Sequence, residues 1–391
     1  MLIKAPSKIN LTLKVLSKRA DGYHEISSYM RAIRLFDELE VGLDVNSART
    51  VDPLRFTGAR PKDVSQVSDS ENKGLGVADA ERAKRAEANA NLRGFSGREP
   101  QHASISITTN TLDIPKGAKN LAWQAADLAV KELAGEPFSG SRSGRIEIDI
   151  LKNIPIAAGL GGGSSDAAAV LLWAAKTFAP ETKISELTTL GAKLGADVPF
   201  CIYACAAANP SLGFEGTGSA VAEGIGEKLT PVQEAEKAYV ILVKPDIKIN
   251  TKEVYALYDE FAGQVMGTGC DTEKLNLATG NDLKVACEKE HPKKGSESYN
   301  PASENDLEYP CMKHWPIVGE TIAGLKRLCE AEEAGKAKVQ MTGSGPTVFA
   351  YFGEDDFGSR IDAQAAAKRV YKNIKEKVKN TDSFVHLTET L

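Results

Sequence analysis

Ile154-Pro155-Ile156-Ala157-Ala158-Gly159-Leu160-Gly161-Gly162-Gly163-Ser164-Ser165-Asp166 is the stretch on which the reading of this chain turns. Before it, residues 145–151 alternate apolar and polar side chains as a strand does. After it, residues 166–175 are alanine-rich and read as a helix. Consecutive glycines let a backbone approach an anion closely and adopt positive φ. The helix start then offers unpaired N–H groups and the positive end of the macrodipole to a phosphate. Ser164 and Ser165 add hydroxyls, and Ser165 is a candidate oxygen for a metal ion. A glycine hinge capped by Ser or Asp is the plainer reading. Three adjacent glycines plus Gly159 exceed what a cap requires, so the loop is read as a phosphate cradle. It contains no Gly-Lys-Ser/Thr, and its spacing is not that of a dinucleotide fingerprint.

Outward from the loop, residues 9–16 read as a strand, Asp21-Gly22 as a tight turn, and residues 26–41 as extended chain. Residues 46–101 are crowded with small polar and charged side chains. They bury too little to offset chain entropy and are expected to be a mobile insertion, with a short exposed helix over 78–91. Residues 104–108 read as a strand, 121–133 and 184–194 as helices, 198–203 as a short apolar strand, and 204–218 as a second insertion. The apolar run 239–243 opens a second domain, so the division expected is 1–234 and 235–391. A polar stretch at 288–306 interrupts that domain. A helix over 318–331, a strand over 347–352 and a charged amphipathic helix over 362–378 follow.

A chain of 391 residues suggests two or three domains, and 42% hydrophobic residues predict a soluble protein with a sizeable core. The formal charge of −5 and the absence of a basic run leave a nucleic-acid partner unsupported. No apolar stretch is long enough to span a bilayer, and the N-terminus lacks the apolar region of a signal peptide. The six cysteines show no CxxC spacing and the five histidines no metal spacing. Reduced thiols in a cytoplasmic protein are expected.

The loop's Pro-x-x-x-Gly-Leu-Gly-x-x-x-Ser form resembles the GHMP kinase superfamily. Further segments are similar to the 4-diphosphocytidyl-2-C-methyl-D-erythritol kinases within it. They are Ala5-Pro6-Ser7-Lys8-Ile9-Asn10-Leu11 with Arg19-Ala20-Asp21-Gly22-Tyr23-His24-Glu25, then Leu194-Gly195-Ala196-Asp197-Val198-Pro199-Phe200, then Met341-Thr342-Gly343-Ser344-Gly345-Pro346-Thr347. The segment Ala222-Glu223-Gly224-Ile225-Gly226-Glu227 also fits. The resemblance implies a two-domain α+β fold with ATP and substrate in the inter-domain cleft. It implies a kinase acting on the 2-hydroxyl of 4-(cytidine 5'-diphospho)-2-C-methyl-D-erythritol in isoprenoid biosynthesis.

Residue roles follow from the same resemblance. Asp197 is the base that takes the proton of the acceptor hydroxyl, although a lone Asp at such a junction is more often a turn residue. Lys8, otherwise an edge lysine, holds Asp197 ionised and favours the alkoxide. Pro155, Ala158, Gly159, Leu160, Gly161, Gly162, Gly163, Ser164, Ser165 and Asn120 are expected on ATP, Asn120 doubling as a helix cap. Asn10, Tyr23, His24, Thr251, Tyr255, Gly343 and Ser344 are expected on the substrate. Tyr23 and His24 meet the cytosine, and Tyr255 is a candidate for its opposite face. Mg²⁺ is expected with ATP, and the assembly is expected to be a monomer or homodimer. Another GHMP kinase, acting on mevalonate or homoserine, is a rival reading. So is a non-catalytic ligand sensor, which retention of Lys8 and Asp197 argues against.

Overall fold

The computed structural model describes residues 1–44, 104–134, 144–232, 237–266, 304–379 and 381–391, with no side chain considered at 263–266. The expected insertion at 46–101, its helix at 78–91 and most of the stretch 288–306 lie outside the described residues.

The first sheet has seven strands: β1 (Leu2–Asn10), β2 (Lys14–Lys18), β3 (His24–Asp44), β4 (Ser104–Thr109), β5 (Arg145–Leu151), β6 (Ser219–Gly224) and β7 (Lys228–Pro231). Its spine is β3, 21 residues long and paired with β1, β2, β5 and β6. The register of β1 on β3 shifts between Pro6 and Ser7. Proline has no N–H for the ladder, so it sits naturally at such an irregularity. The expected strand over 9–16 is divided between β1 and β2. Leu13 between them turns to pair with another part of the chain, donating to the Glu304 carbonyl and accepting from Asp306 N–H.

Against this sheet pack α1 (Leu121–Glu132), α2 (Gly162–Phe178), α3 (Ile184–Ala192) and α4 (Val198–Ala208). Every residue from Ser165 to Ala175 of α2 is buried, which explains its alanines: small side chains let α1, α4 and the sheet close on it from all sides. Residues 198–203, expected as a strand, are the first part of α4, and 204–208 complete it. A continuous apolar run has no period by which to separate a buried strand from a buried helix. Pro199 in the first turn favours the helix.

The second sheet is antiparallel, in the order β11 (Phe384–Glu389), β8 (Ala238–Lys244), β10 (Val348–Gly353), β9 (Lys338–Met341). Its helices are α5 (Thr251–Met266), α6 (Glu308–His314), α7 (Pro316–Ala331), α8 (Glu354–Phe357) and α9 (Arg360–Lys377). Alternate residues of β8 and β10 face two different cores. Ile241, Val243, Val348, Ala350 and Phe352 join helix residues such as Val254, Ile322 and Val370. Val240, Leu242, Phe349 and Tyr351 meet Ile9, Ile33, Ile154 and Leu160 of the first half. A strand buried on both faces reads as unbroken apolar sequence, as 239–243 does.

Two devices tie the halves together. Leu13, Val15 and Ile26 of the β2–β3 hairpin lie in the core of the second half, and Asp306 accepts from Lys14 Nζ at 3.0 Å and Val15 N–H at 2.9 Å. At the other end, Thr390 bridges to Ile33 and Leu391 N–H donates to the Ala32 carbonyl at 2.9 Å. Ile26→Ala should therefore destabilise by about 2–4 kcal/mol. Trp173 in the first core and Trp315 beside the second should report the same denaturation midpoint by fluorescence in wild type. Separate midpoints would mean that the hairpin does not couple the two cores.

Candidate active site

Lys8 is on β1, just past the register shift between Pro6 and Ser7, and its side chain is buried. Its Nζ lies 3.3 Å from Asp197 Oδ2 and donates to Asn10 Oδ1 at 2.8 Å. Asn10 is fixed in turn: its Nδ2 donates to Ser28 Oγ at 2.8 Å, and its backbone N–H donates to Thr342 Oγ1 at 2.9 Å. Asp197 caps the start of α4 and keeps a third of its side chain exposed, against 5% for Lys8. It stands between two helices, α3 and α4, rather than at the helix-to-strand junction expected. The arrangement is a fixed cation beside a carboxylate that a ligand can still reach.

The glycine loop approaches this pair from the side. Lys8 N–H donates to the Leu160 carbonyl at 3.0 Å. Gly161, with φ +72°, caps α2 in the left-handed region, and a Cβ there would come 2.9 Å from Lys8 Cγ. Gly159, also at φ +72°, has no room for a Cβ, which would sit 2.8 Å from the Thr342 carbonyl oxygen. No side-chain cap closes the start of α2, so its first N–H groups have no capping partner there. Gly162, Gly163 and Ser164 are at least partly exposed there, and Pro155 is half-buried, while Ala158 and Leu160 are buried. The last two can offer a nucleotide only backbone atoms. Ser165 does not offer its hydroxyl. It is fully buried and donates to the Pro6 carbonyl at 2.7 Å, a group left by the β1 irregularity. The oxygen suggested for a metal ion is thus turned into the protein. Asn120 fills the cap half of its expected double role: its side chain accepts from Ala122 N–H and donates to the Pro115 carbonyl.

Beneath the loop lies a buried cluster of charges. Lys152 Nζ bridges Asp37 and Asp166, the latter at 2.8 Å. The other Asp37 oxygen accepts from Asn153 N–H at 2.7 Å and Ile154 N–H at 2.8 Å, the two residues that lead into the loop. Burial pushes the Asp166 carboxyl up to about 8; the Lys152 charge opposes this and Asp37 adds to it. Burial works to lower Lys152, but the two carboxylates outweigh it and hold the ammonium above its ordinary range. Asp166 Oδ1 is buried with no hydrogen-bond partner.

Of the residues expected on the substrate, Gly343 comes close to the Asn10 side chain. Thr251 Oγ1 and Ser344 Oγ are 2.8 Å apart, and the Gly343 carbonyl accepts from Asn305 Nδ2 at 2.8 Å. His24 is buried, and Tyr255 stacks on it with centroids 4.9 Å apart and planes at 22°. The space between those two rings is closed, so His24 and Tyr255 do not form two sides of a slot for a base. Tyr23 is 61% exposed and presents its ring to solvent. Burial, with the Asp197 charge, pushes the Tyr255 phenol well up, so it stays neutral.

The sequence reading missed Asp37, Lys152, Asp166, Asp259, Ser28 and Thr342. Asp259 had a signal, since it falls one helical turn after Tyr255, on the same face. Lys152 directly precedes the loop, but nothing local shows that it points inward.

The family model for the GHMP kinases N terminal domain matches residues 120–205, which hold the loop, α2 and Asp197. The chain is 31% identical over 379 residues to a 4-diphosphocytidyl-2-C-methyl-D-erythritol kinase of Clostridium tetani, covering 96% of each. It is 31% identical over 382 residues to one of Caldicellulosiruptor saccharolyticus, covering 97% of this chain and 96% of that one. Among solved structures it shares its fold with a 4-(cytidine 5'-diphospho)-2C-methyl-D-erythritol kinase, at 24% identity, TM-score 0.54 and 99% of either chain. It also shares its fold with the L. major mevalonate kinase in complex with R-mevalonate, at 12% identity, TM-score 0.52 and 100% and 95% of the two chains.

The buried cluster predicts a pH dependence. Folded chains keep the Asp166 proton to about pH 8 and unfolded chains only to near 3.8, so stability falls as pH rises through that window. Asp166→Asn should flatten this slope, read as melting temperature between pH 5 and 8.5 against wild type. Gly159→Ala should cost more than about 1 kcal/mol in stability, because positive φ and a close carbonyl both oppose a Cβ. It should also lower kcat/KM, since the phosphate loop must shift.

Proposed function

The chain belongs to the 4-diphosphocytidyl-2-C-methyl-D-erythritol kinases, and on that premise we propose how its residues carry the γ-phosphoryl group of ATP to the 2-hydroxyl of 4-(cytidine 5'-diphospho)-2-C-methyl-D-erythritol, a step of isoprenoid biosynthesis. The observation that carries the reading is the 3.3 Å pair of Lys8 and Asp197, set beside a helix start whose N–H groups no side chain occupies. Phosphoryl transfer asks little covalent chemistry of a protein; it asks for alignment and charge. Phosphates of ATP settle on the backbone of Gly159, Leu160, Gly161, Gly162, Gly163 and Ser164. The acceptor hydroxyl lies against Asp197. As its oxygen bonds to the γ-phosphorus, the bond from that phosphorus to the bridging oxygen of ADP breaks, and the hydroxyl proton passes to Asp197. Lys8 stabilises the negative charge on the attacking oxygen, and its bond to Asn10 keeps the ammonium in place.

Mg²⁺ fits this chain as a passenger of the nucleotide. Among the described residues no three His, Cys, Asp or Glu side chains gather as a ligand set, and Ser165 is turned away. The ion would be held by phosphate oxygens, and no step above runs through it. The same reading assigns residues 1–234 to ATP and catalysis and 235–391 mainly to the substrate, in a monomer or homodimer. Buried free thiols at Cys201, Cys205, Cys311 and Cys329 suit a reducing, cytoplasmic setting.

Cytosine is assigned to Tyr23, whose exposed ring is available for stacking, and to the edge of His24. Tyr255 acts from behind His24. Asp197→Asn should leave the fold intact and lower kcat by about 10² or more in an ADP-release assay. A folded variant with near-normal kcat would remove Asp197 from the role of base.

A further inference from the structure

His24 is held from three directions by one helix and one hairpin. Tyr255 stacks on its ring, Tyr258 meets it edge-on at 6.2 Å and 89°, and Asp259 Oδ1 lies 2.7 Å from Nε2. All three come from α5, at spacings that share a helix face. The second oxygen of Asp259 accepts from Lys18 Nζ at 2.6 Å, on β2. Burial tends to raise the Asp259 carboxyl, but the hydrogen bonds from Lys18 and His24 outweigh it and hold it below the ordinary range. Asp259 is therefore a carboxylate at neutral pH, and a carboxylate only accepts.

Two consequences follow for the imidazole. Nε2 must carry the hydrogen, because it faces an acceptor. Lys18 and His24 share the Asp259 carboxylate, one on each oxygen, so the carboxylate is held in a fixed orientation against the ring. Other charges on the hairpin are spent elsewhere: Arg19 pairs with Asp21 at 3.0 Å and Glu25 at 3.1 Å, and Lys14 pairs with Asp306. On α5, Glu260 is exposed. A neutral ring protonated on Nε2 has a lone pair on Nδ1, and no hydrogen bond to Nδ1 is present among the described residues.

We propose that Lys18 and Asp259 are positioning residues that determine base specificity: they fix His24 as a neutral imidazole with Nδ1 as an acceptor, suited to the exocyclic amine of a cytosine. A uracil presents a carbonyl at that place, and its lone pairs would face the lone pair of Nδ1. The inference rests on the assignment of His24 to the base. Asp259 and Lys18 need not touch the substrate; they act through the ring they orient, as outer partners of a histidine do at metal sites. An imidazolium at His24 would have a donor at Nδ1, and the preference for cytosine would invert towards uracil.

The test has two arms. The first reads the free enzyme: nitrogen-15 spectra of labelled histidine at pH 7.5 should show His24 neutral with the hydrogen on Nε2. Asp259→Leu should remove the Nε2–H preference. The second arm compares kcat/KM for the cytidine and uridine forms of the substrate. Wild type should prefer the cytidine form by at least about 100-fold, as sites built for a polar edge do. Asp259→Leu should cut that ratio at least about tenfold, and Lys18→Met, which frees the second Asp259 oxygen, should cut it in the same direction. A wild-type His24 that is charged, or carries its hydrogen on Nδ1, overturns the proposal. So does an unchanged cytidine-to-uridine ratio in Asp259→Leu when wild type is selective. If wild type does not distinguish the two forms, the assignment of His24 to the base fails, and the proposed specificity with it; the spectra still report separately on whether the Lys18–Asp259 pair sets the ring.

Discussion

The active site depends on how closely β1 can approach the glycine loop. Lys8 meets Leu160 through a backbone bond of 3.0 Å, and its stem lies against Gly161. That contact places the lysine ammonium at Asp197 while it also places the loop at the start of α2. Much of the surrounding sequence serves the approach. Gly159 and Gly161 have positive φ and no space for a side chain. The Pro6 carbonyl, where the β1 register shifts, is taken by Ser165 from the helix below. The Asn10 side chain, braced by Ser28 and approached by Thr342, stops the ammonium from swinging away. Electrostatic help to a transition state is worth most when its dipoles do not need to reorganise, and here they are anchored in three parts of the chain.

Two buried lysines near the loop have opposite designs. Lys152 lies between Asp37 and Asp166, with side-chain exposure of 7%, 0% and 4% for the three. Such a group holds backbone rather than substrate: Asp37 receives the two N–H groups that enter the loop. Removing one member of a buried set leaves an uncompensated charge, which is costly even where the intact set adds little. Among the described residues Lys8 has a single carboxylate partner, and that partner is partly open to solvent. Asp197 can therefore take a further partner without dismantling a closed network.

How much of this could be read from the sequence depended on how local the determining physics is. Residues 154–166 were legible as a glycine loop leading into a helix, because glycine conformational freedom and a helix start are properties of adjacent residues. The α1 helix and β5 followed from periodicity, and α2 from its run of alanines after the loop. The pairing of Lys8 with Asp197 was legible only through resemblance, since nothing in either segment points to the other. The 198–203 segment was misread because a run buried on every side carries no period. β11 passed unnoticed, as did the turning of Leu13 towards residues 304–306, because both are partnerships between distant segments. Ser165 looked like a loop hydroxyl and proved to be a brace for β1. Tyr255, a candidate for the opposite face of the base, stacks on His24, a contact between distant segments that only the folded ring geometry reveals.

The hairpin that carries Leu13, Val15 and Ile26 into the second core has a bearing on how such kinases diverge or can be recombined. Cutting near residue 234 and joining the front half of this chain to the back half of a relative would import the wrong plug. The foreign core would meet side chains shaped for different neighbours, and Lys18 would seek an acid on a helix that no longer supplies it. A workable exchange has to move residues 11–26 together with the C-terminal half, although they lie near the other end of the sequence. Changes of acceptor in this fold are therefore expected to arise as paired substitutions, one in the hairpin and one on α5, rather than as exchanges of whole halves.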